Sequence, residues 1–297
     1  MNIWNNIDKK TYDEIFAYGE DYKNFLNKAK TEREACSFME KFARERGFKS
    51  LCEFTEAPKR GDKILLNNKN KSLVLLVLGK NLEDGMNIVG SHIDCPRLDL
   101  KARPLYEDSD ICYLKTHYYG GVKKYQWPTI QIALHGFFID KAGKKHNLVI
   151  GEDESDPVFY INDLLPHLAK DQMKKTGSEL IEGEALNIVI GHSTFGVKNE
   201  KDGLKKNILS ILKEKYNLEE DDFQVAEFEA TPSAKARDVG FDRAMIAAHG
   251  QDDRICSYAN FRAILDVENP EITAVSLLVD KEAVSYTHLT LPTTPYV

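Results

Sequence analysis

The sequence predicts an α/β protein in which one domain of helices and strands is interrupted by an inserted β-rich module. Three observations carry this. Apolar and aromatic residues recur at helical spacing from Tyr12 to Arg46. Apolar runs of strand length occur early, at Leu73–Leu78 and Met86–Gly90, and again late, at Thr273–Val279. Between them lie short β-like runs separated by turn residues, the pattern of an antiparallel meander rather than of strand–helix alternation.

In chain order, Ile15, Phe16, Tyr22, Phe25 and Leu26, then Ala35, Phe38, Met39 and Phe42, define apolar helix faces. Thr31-Glu32-Arg33-Glu34 has the spacing of a capping box, so two helices with a break near residue 30 are expected, the second ending at Gly47. Lys63–Leu66 and Leu73–Leu78 read as strands joined by the turn Asn67-Asn68-Lys69-Asn70, and Met86–Gly90 as a third strand. The insert is expected to hold strands at Ile111–His117, Thr129–Ile139, Asn147–Ile150, Leu186–Gly191 and Phe223–Phe228, with helices at Ile161–Lys175 and Leu204–Tyr216. The first sheet is then expected to resume at Met245–Ala248, followed by a helix over Ile255–Leu265 and the strand Thr273–Val279. This assigns residues 1–101 and 236–283 to the interrupted domain and 102–235 to the insert. The tail 284–297, from Ser285 without periodicity or charge, resembles translated adapter sequence and is set outside the fold; the alternative is a genuine tail without fixed structure.

A chain of 297 residues with 42% hydrophobic residues can bury a sizeable core. Its net charge of −7, with basic and acidic residues interspersed, argues against nucleic acid or an anionic membrane as partner. Five cysteines without a Cys-x-x-Cys pair fit reduced thiols in a cytoplasm. No signal peptide and no run long enough to span a bilayer is visible.

His92-Ile93-Asp94 follows a predicted strand end, and residues two apart in extended chain point the same way. The Asp94 carboxylate can therefore accept from one His92 ring nitrogen while the other faces a metal, although a His-x-Asp triplet is also common by chance. Asp252-Asp253-Arg254 precedes a predicted helix. A carboxylate there can bridge two metal ions or simply cap the helix. Glu282 follows the strand Thr273–Val279. It reads either as a solvated charge or as a general base acting on water. No nucleophile elbow and no phosphate-cradling glycine loop is present.

Ser91-His92-Ile93-Asp94, His249-Gly250-Gln251-Asp252-Asp253-Arg254 and Val279-Asp280-Lys281-Glu282, with Tyr118-Tyr119-Gly120-Gly121 and Leu165-Pro166-His167-Leu168 in the insert, resemble the successive motifs of the aminopeptidase I and aspartyl aminopeptidase family of dinuclear zinc exopeptidases. The resemblance implies a mixed-sheet zinc-exopeptidase catalytic domain of the phosphorylase/hydrolase type and an inserted dimerisation domain. It implies that His92 ligates one zinc with Asp94 orienting its ring, and that Asp252 bridges both ions with a cis peptide after it. It makes Glu282 the base that activates water. His167 would reach the active site of a neighbouring subunit to contact substrate, or alternatively serve as a metal ligand. The expected protein is a peptide-cleaving homo-oligomer built from dimers, a dodecamer in the family, with Co2+ or Mn2+ as possible substitutes for Zn2+.

One departure stands out. Where the family has a second glutamate directly after the base, ligating the other zinc, this chain has Ala283, which has no donor atom. The later aspartate and histidine ligands of the family fall past residue 297. The chain is accordingly expected to be an inactive, C-terminally truncated form of an aminopeptidase. Two other readings stay open: a related dinuclear zinc carboxypeptidase or deacylase, and a non-enzymatic oligomerising scaffold with a vestigial metal site.

Overall fold

The computed structural model describes residues 3–194 and 202–282. In chain order they form α1 (Lys9–Lys28), α2 (Glu32–Glu45), β1 (Lys49–Ser50), β2 (Lys63–Asn68), β3 (Ser72–Val77), β4 (Met86–His92), β5 (Arg97–Asp108), β6 (Ile111–Tyr119), β7 (Ile132–Ile139), β8 (Lys145–Ile150), β9 (Ile188–Gly191), α3 (Gly203–Tyr216), β10 (Glu227–Pro232), β11 (Arg237–Val239), β12 (Met245–Ala247), α4 (Gln251–Leu265) and β13 (Thr273–Val279). Ala283 and the tail assigned to 284–297 lie outside the described residues.

By their internal contacts the residues divide into two units, one running to Cys95 and resuming at Lys235, the other Pro96–Ala234. In the first unit, the break between α1 and α2 is fixed by the capping box: the Thr31 hydroxyl accepts from the Glu34 amide, and the Glu34 carboxylate accepts from the Thr31 amide. The hairpin turn between β2 and β3 places Lys69 and Asn70 at positive φ, and the Asn67 side chain accepts from the Asn70 amide. Strand order in this mixed sheet is β1-β2-β3-β13-β4. β13 runs antiparallel to β3 and parallel to β4, with Val279 opposite His92. Two parallel strands therefore end side by side, the usual place for chemistry in an open α/β sheet. Phe25 and Leu26 of α1, Cys36 and Met39 of α2, Leu73 and Leu75 of β3, and Phe261 of α4 share one buried cluster.

The second unit is a six-stranded antiparallel sheet in the order β8-β7-β10-β5-β6-β9, with α3 against it. Leu98, Leu134, Phe138, Ile188 and Ala230 are central to its core.

Three expectations are corrected. Met245–Ala247 does not resume the first sheet but pairs with Arg237–Val239 as a separate two-stranded ribbon. The run is three residues long, with Met245 and Ala247 exposed, so it has no apolar face to bury in a central position. Ile161–Lys175 is not a helix; only the short 3-10 turn Gln172–Lys174 forms. Pro166 lacks an amide donor and disfavours helical geometry at Leu165, while Asp163 accepts from the Leu164 amide and the Gln172 side chain. Strand is also absent at Phe223: Glu219 and Asp222 cap a 3-10 turn over Glu220–Gln224, and β10 starts only at Glu227.

Among the described residues no helix is long and apolar enough to cross a membrane. None of the five cysteines is in a disulfide: Cys36, Cys95 and Cys112 are buried, whereas Cys52 and Cys256 are exposed. Burial, reinforced by the Glu32 charge, pushes the Cys36 thiol up to about 12. The Asp253 carboxylate, through a hydrogen bond and its charge, raises that of Cys256. A thiol-specific reagent at pH 8 is therefore expected to modify Cys52 fastest, Cys256 more slowly, and the other three only after unfolding. Mass mapping of partially labelled protein checks this order, and early labelling at Cys36 would contradict it.

Candidate active site

The site is built where β4 and β13 end and α4 begins. Asp94 is fully buried. Its Oδ1 accepts from the backbone amides of Lys281 (2.9 Å) and Glu282 (3.1 Å), and its Oδ2 from Glu282 (3.0 Å). The carboxylate after one strand thereby fixes the backbone of the glutamate after the other. The His92 ring is seated differently from the sequence expectation. Its Nδ1 lies 2.9 Å from the Asp94 backbone carbonyl oxygen and 3.6 Å from the carboxylate, which is taken up by the amides at 281 and 282. Its Nε2 lies 3.4 Å from Asp252 Oδ1. Burial works to lower the His92 pKa, but the Asp94 carboxylate and carbonyl, together with the Asp253 charge, outweigh it and raise the group to about 9. A metal bound at this imidazole would have to displace that proton.

Asp252 sits before the regular part of α4 and is joined to Asp253 by a cis peptide bond. Its side chain is 93% exposed, whereas Asp253 turns back so that its Oδ2 accepts from the His92 amide at 3.4 Å. Gly250 has φ +80°, and a Cβ there would lie 2.4 Å from Arg254 Nη1, so glycine is required on both counts.

Several residues that hold this corner together were not singled out from sequence. Arg254 is fully buried; its Nε donates to the Ile93 carbonyl (3.1 Å) and its Nη2 to the Lys30 carbonyl (2.8 Å). It ties the start of α4 both to the peptide between His92 and Asp94 and to the α1–α2 break. Ser257 Oγ donates to the His92 carbonyl at 2.5 Å, and Asn260 Nδ2 to the Val89 carbonyl at 3.0 Å. Cys95 Sγ lies 3.2 Å from His249 Nε2, a second tie between the two motif segments.

Of the candidate residues, His92, Asp94, Asp252 and Glu282 come together in the first unit. His167 belongs to the second, where it is exposed in the turn Pro166–Leu168 rather than on a helix. The sequence-expected metal donors brought together at the corner are the His92 imidazole and the Asp252 carboxylate, and no cluster of three or more His, Cys, Asp or Glu side chains suited to a metal occurs among the described residues. A catalytic zinc normally takes three protein ligands, so these residues do not by themselves form a complete site.

A mixed sheet with an imidazole and two acidic residues at the edge where its parallel strands end is the framework on which metal-dependent hydrolases place their chemistry. Residues 25–288 match the family described as aminopeptidase I zinc metalloprotease (M18), and the chain belongs to that family. "Probable M18 family aminopeptidase 1" of Clostridium acetobutylicum is 48% identical over 287 residues, 95% of this chain and 62% of that protein. Among solved structures, an M18-family aminopeptidase of Thermotoga maritima matches with a TM-score of 0.90 at 39% identity, over 97% of this chain and 62% of that one. Aminopeptidase I of Clostridium acetobutylicum matches with a TM-score of 0.87 at 44% identity, over 95% and 62%. The chain thus spans about 62% of the length of the relative it matches. A chain of the mApe1 dodecamer from S. cerevisiae, 20% identical with a TM-score of 0.66 over 93% of this chain and 63% of that one, shares the fold.

Proposed function

We propose that the complete protein removes N-terminal amino acids from peptides and that the β4–β13–α4 corner is part of its active site. The observation that carries this is the 3.4 Å approach of His92 Nε2 to Asp252 Oδ1 on the edge that also holds Glu282. His92 and Asp252 supply two donors of the zinc centre, whose remaining ligands come from outside the described residues. Glu282, its backbone pinned by Asp94, takes the proton of the attacking water. His167 contacts the substrate of a neighbouring subunit. The insert, residues 102–235 in the sequence reading, is the dimerisation domain of a homo-oligomer, and the exposed Leu164, Leu165, Leu168 and Met173 around His167 support that role. Five cysteines with no disulfide among them support a reducing compartment, the cytoplasm.

The test is digestion of peptides with free or acetylated N-termini by the zinc-supplemented full-length protein, followed by mass spectrometry. Stepwise loss of N-terminal residues from the free peptides alone is expected. C-terminal trimming or deacylation would instead favour the related carboxypeptidase or deacylase, and no cleavage at all the scaffold. With two donors and Ala283, the 297-residue chain alone is expected not to hydrolyse amino-acid p-nitroanilides; turnover comparable to the full-length protein would contradict this.

A further inference from the structure

The hairpin turn between β2 and β3 is seated on the start of α2. Arg33 Nη1 donates to the Lys69 carbonyl at 2.9 Å, and Asn70 Nδ2 donates to the Arg33 carbonyl at 3.2 Å and to Ser37 Oγ at 3.0 Å. The next residue, Lys71, is therefore presented from a fixed backbone. Its ammonium donates to Glu32 Oε1 at 2.8 Å and to Asp280 Oδ2 at 3.5 Å. Glu32, in the first turn of α2, is fully buried, and glutamate is almost never found so deep unless paired. Asp280 belongs to the segment that carries Glu282. The β13–β3 ladder ends at the Leu278–Leu73 pair, and side chains at the start of β3 take over where it stops. The Asp280 amide donates to Ser72 Oγ at 3.3 Å, and the Asp280 carboxylate accepts from Lys71. On the opposite flank, Asp94 accepts from the amides of Lys281 and Glu282. Residues 280–282 are thus clamped from both neighbouring strands.

We propose that Glu32, Lys71 and Asp280 are positioning residues for Glu282. Glu32 holds the Lys71 ammonium, the ammonium holds Asp280, and Asp280 sets the direction from which Glu282 reaches the attacking water. This deepens the aminopeptidase reading and rests on it. Were Lys71 present only to neutralise the buried Glu32, its reach could end there; its second contact, to Asp280, is what ties it to the base. Asp94 by itself grips the segment from the β4 side alone and leaves it able to pivot about the end of β13. The contacts from Ser72 and Lys71 remove that pivot. Lys71 and Asp280 expose only 29% and 20% of their side chains, so water screens their contact less than it screens a surface ion pair. Precision at this point bears directly on rate, because misplacing a reacting group by about 1 Å can cost about 10²-fold.

The test is steady-state kinetics of the full-length protein on an amino-acid p-nitroanilide. Two changes open the clamp without leaving a buried charge alone: Asp280→Asn, and the double variant Glu32→Gln with Lys71→Met. Each is expected to lower kcat by roughly tenfold or more with KM nearly unchanged, while Lys71→Arg, which keeps the cation, stays near wild type. Because the clamp acts through Glu282, neither change is expected to lower kcat further in a Glu282→Gln background. Losses that multiply with that of Glu282→Gln would overturn the proposal in favour of a merely structural ion pair, and so would a wild-type kcat in both variants. Should the double variant not fold by circular dichroism, Ser72→Ala, which removes the acceptor of the Asp280 amide, is expected to lower kcat in the same direction. An unchanged kcat there would equally overturn the clamp while leaving the aminopeptidase reading in place. A wild type that cleaves no p-nitroanilide would overturn both.

Discussion

Replacing Glu282 with glutamine in the full-length protein is expected to lower kcat by roughly 10²–10⁴-fold, the usual contribution of a positioned acid–base group, with KM nearly unchanged. The physical reason lies in how this side chain is placed. Its amide is gripped by both oxygens of the fully buried Asp94, the two residues lying three and two positions beyond Val279 and His92, the last pair of β13 and β4. The glutamate is therefore delivered to the sheet edge by hydrogen bonds rather than by a flexible loop. Glutamine keeps the size and the backbone contacts and removes only the ability to accept a proton. Steady-state kinetics on a p-nitroanilide substrate check this, and a loss of less than tenfold would exclude Glu282 as the base.

The second large effect concerns Arg254, replaced by methionine. Its guanidinium is buried, and its Nε and Nη2 spend their donors on two backbone carbonyls, those of Ile93 and Lys30. Methionine fills much of the volume but leaves both carbonyls without these donors. A buried polar group stripped of its partner costs about 1–3 kcal/mol, so a loss of roughly 2–6 kcal/mol is expected for the two. Relief from burying the guanidinium charge, whose Nη1 is buried without a hydrogen-bond partner, acts in the opposite direction, but two backbone carbonyls already accept from the guanidinium. With an m-value of about 1–3 kcal/mol/M in urea, the unfolding midpoint should fall by roughly 0.7 M or more. A shift near zero would mean that Arg254 does not hold the strand end that carries His92.

Much of this architecture is legible in the residues themselves. The two-helix start is written in the apolar spacing of Phe25, Leu26, Ala35 and Met39 and in the Thr31–Glu34 capping pair, whose partners are three residues apart. The sheet-end positions of His92 and Glu282 follow from apolar runs that stop just before them. What local sequence does not carry is the pairing of distant segments. Met245–Ala247 has the composition of a strand, but its partner, Arg237–Val239, is a polar stretch that no apolar pattern marks. Within Ile161–Lys175, Pro166 breaks the helix that the surrounding residues suggest. At the site, an Asp two residues after a His invites a carboxylate–imidazole contact. The amides at 281 and 282, 187 and 188 residues away, take that carboxylate instead. Arginine in a first helical turn is ordinarily solvent-exposed, so the burial of Arg254 emerges only when α4 packs on β4.

The most direct measurement is the zinc content of the purified full-length protein by elemental analysis, for wild type and for His92→Ala and Asp252→Asn. The account predicts about two zinc ions per chain in the wild type, as in two-metal hydrolases, and a clear loss in each variant while the fold, followed by circular dichroism, is retained. Variants that kept the wild-type zinc content would contradict it.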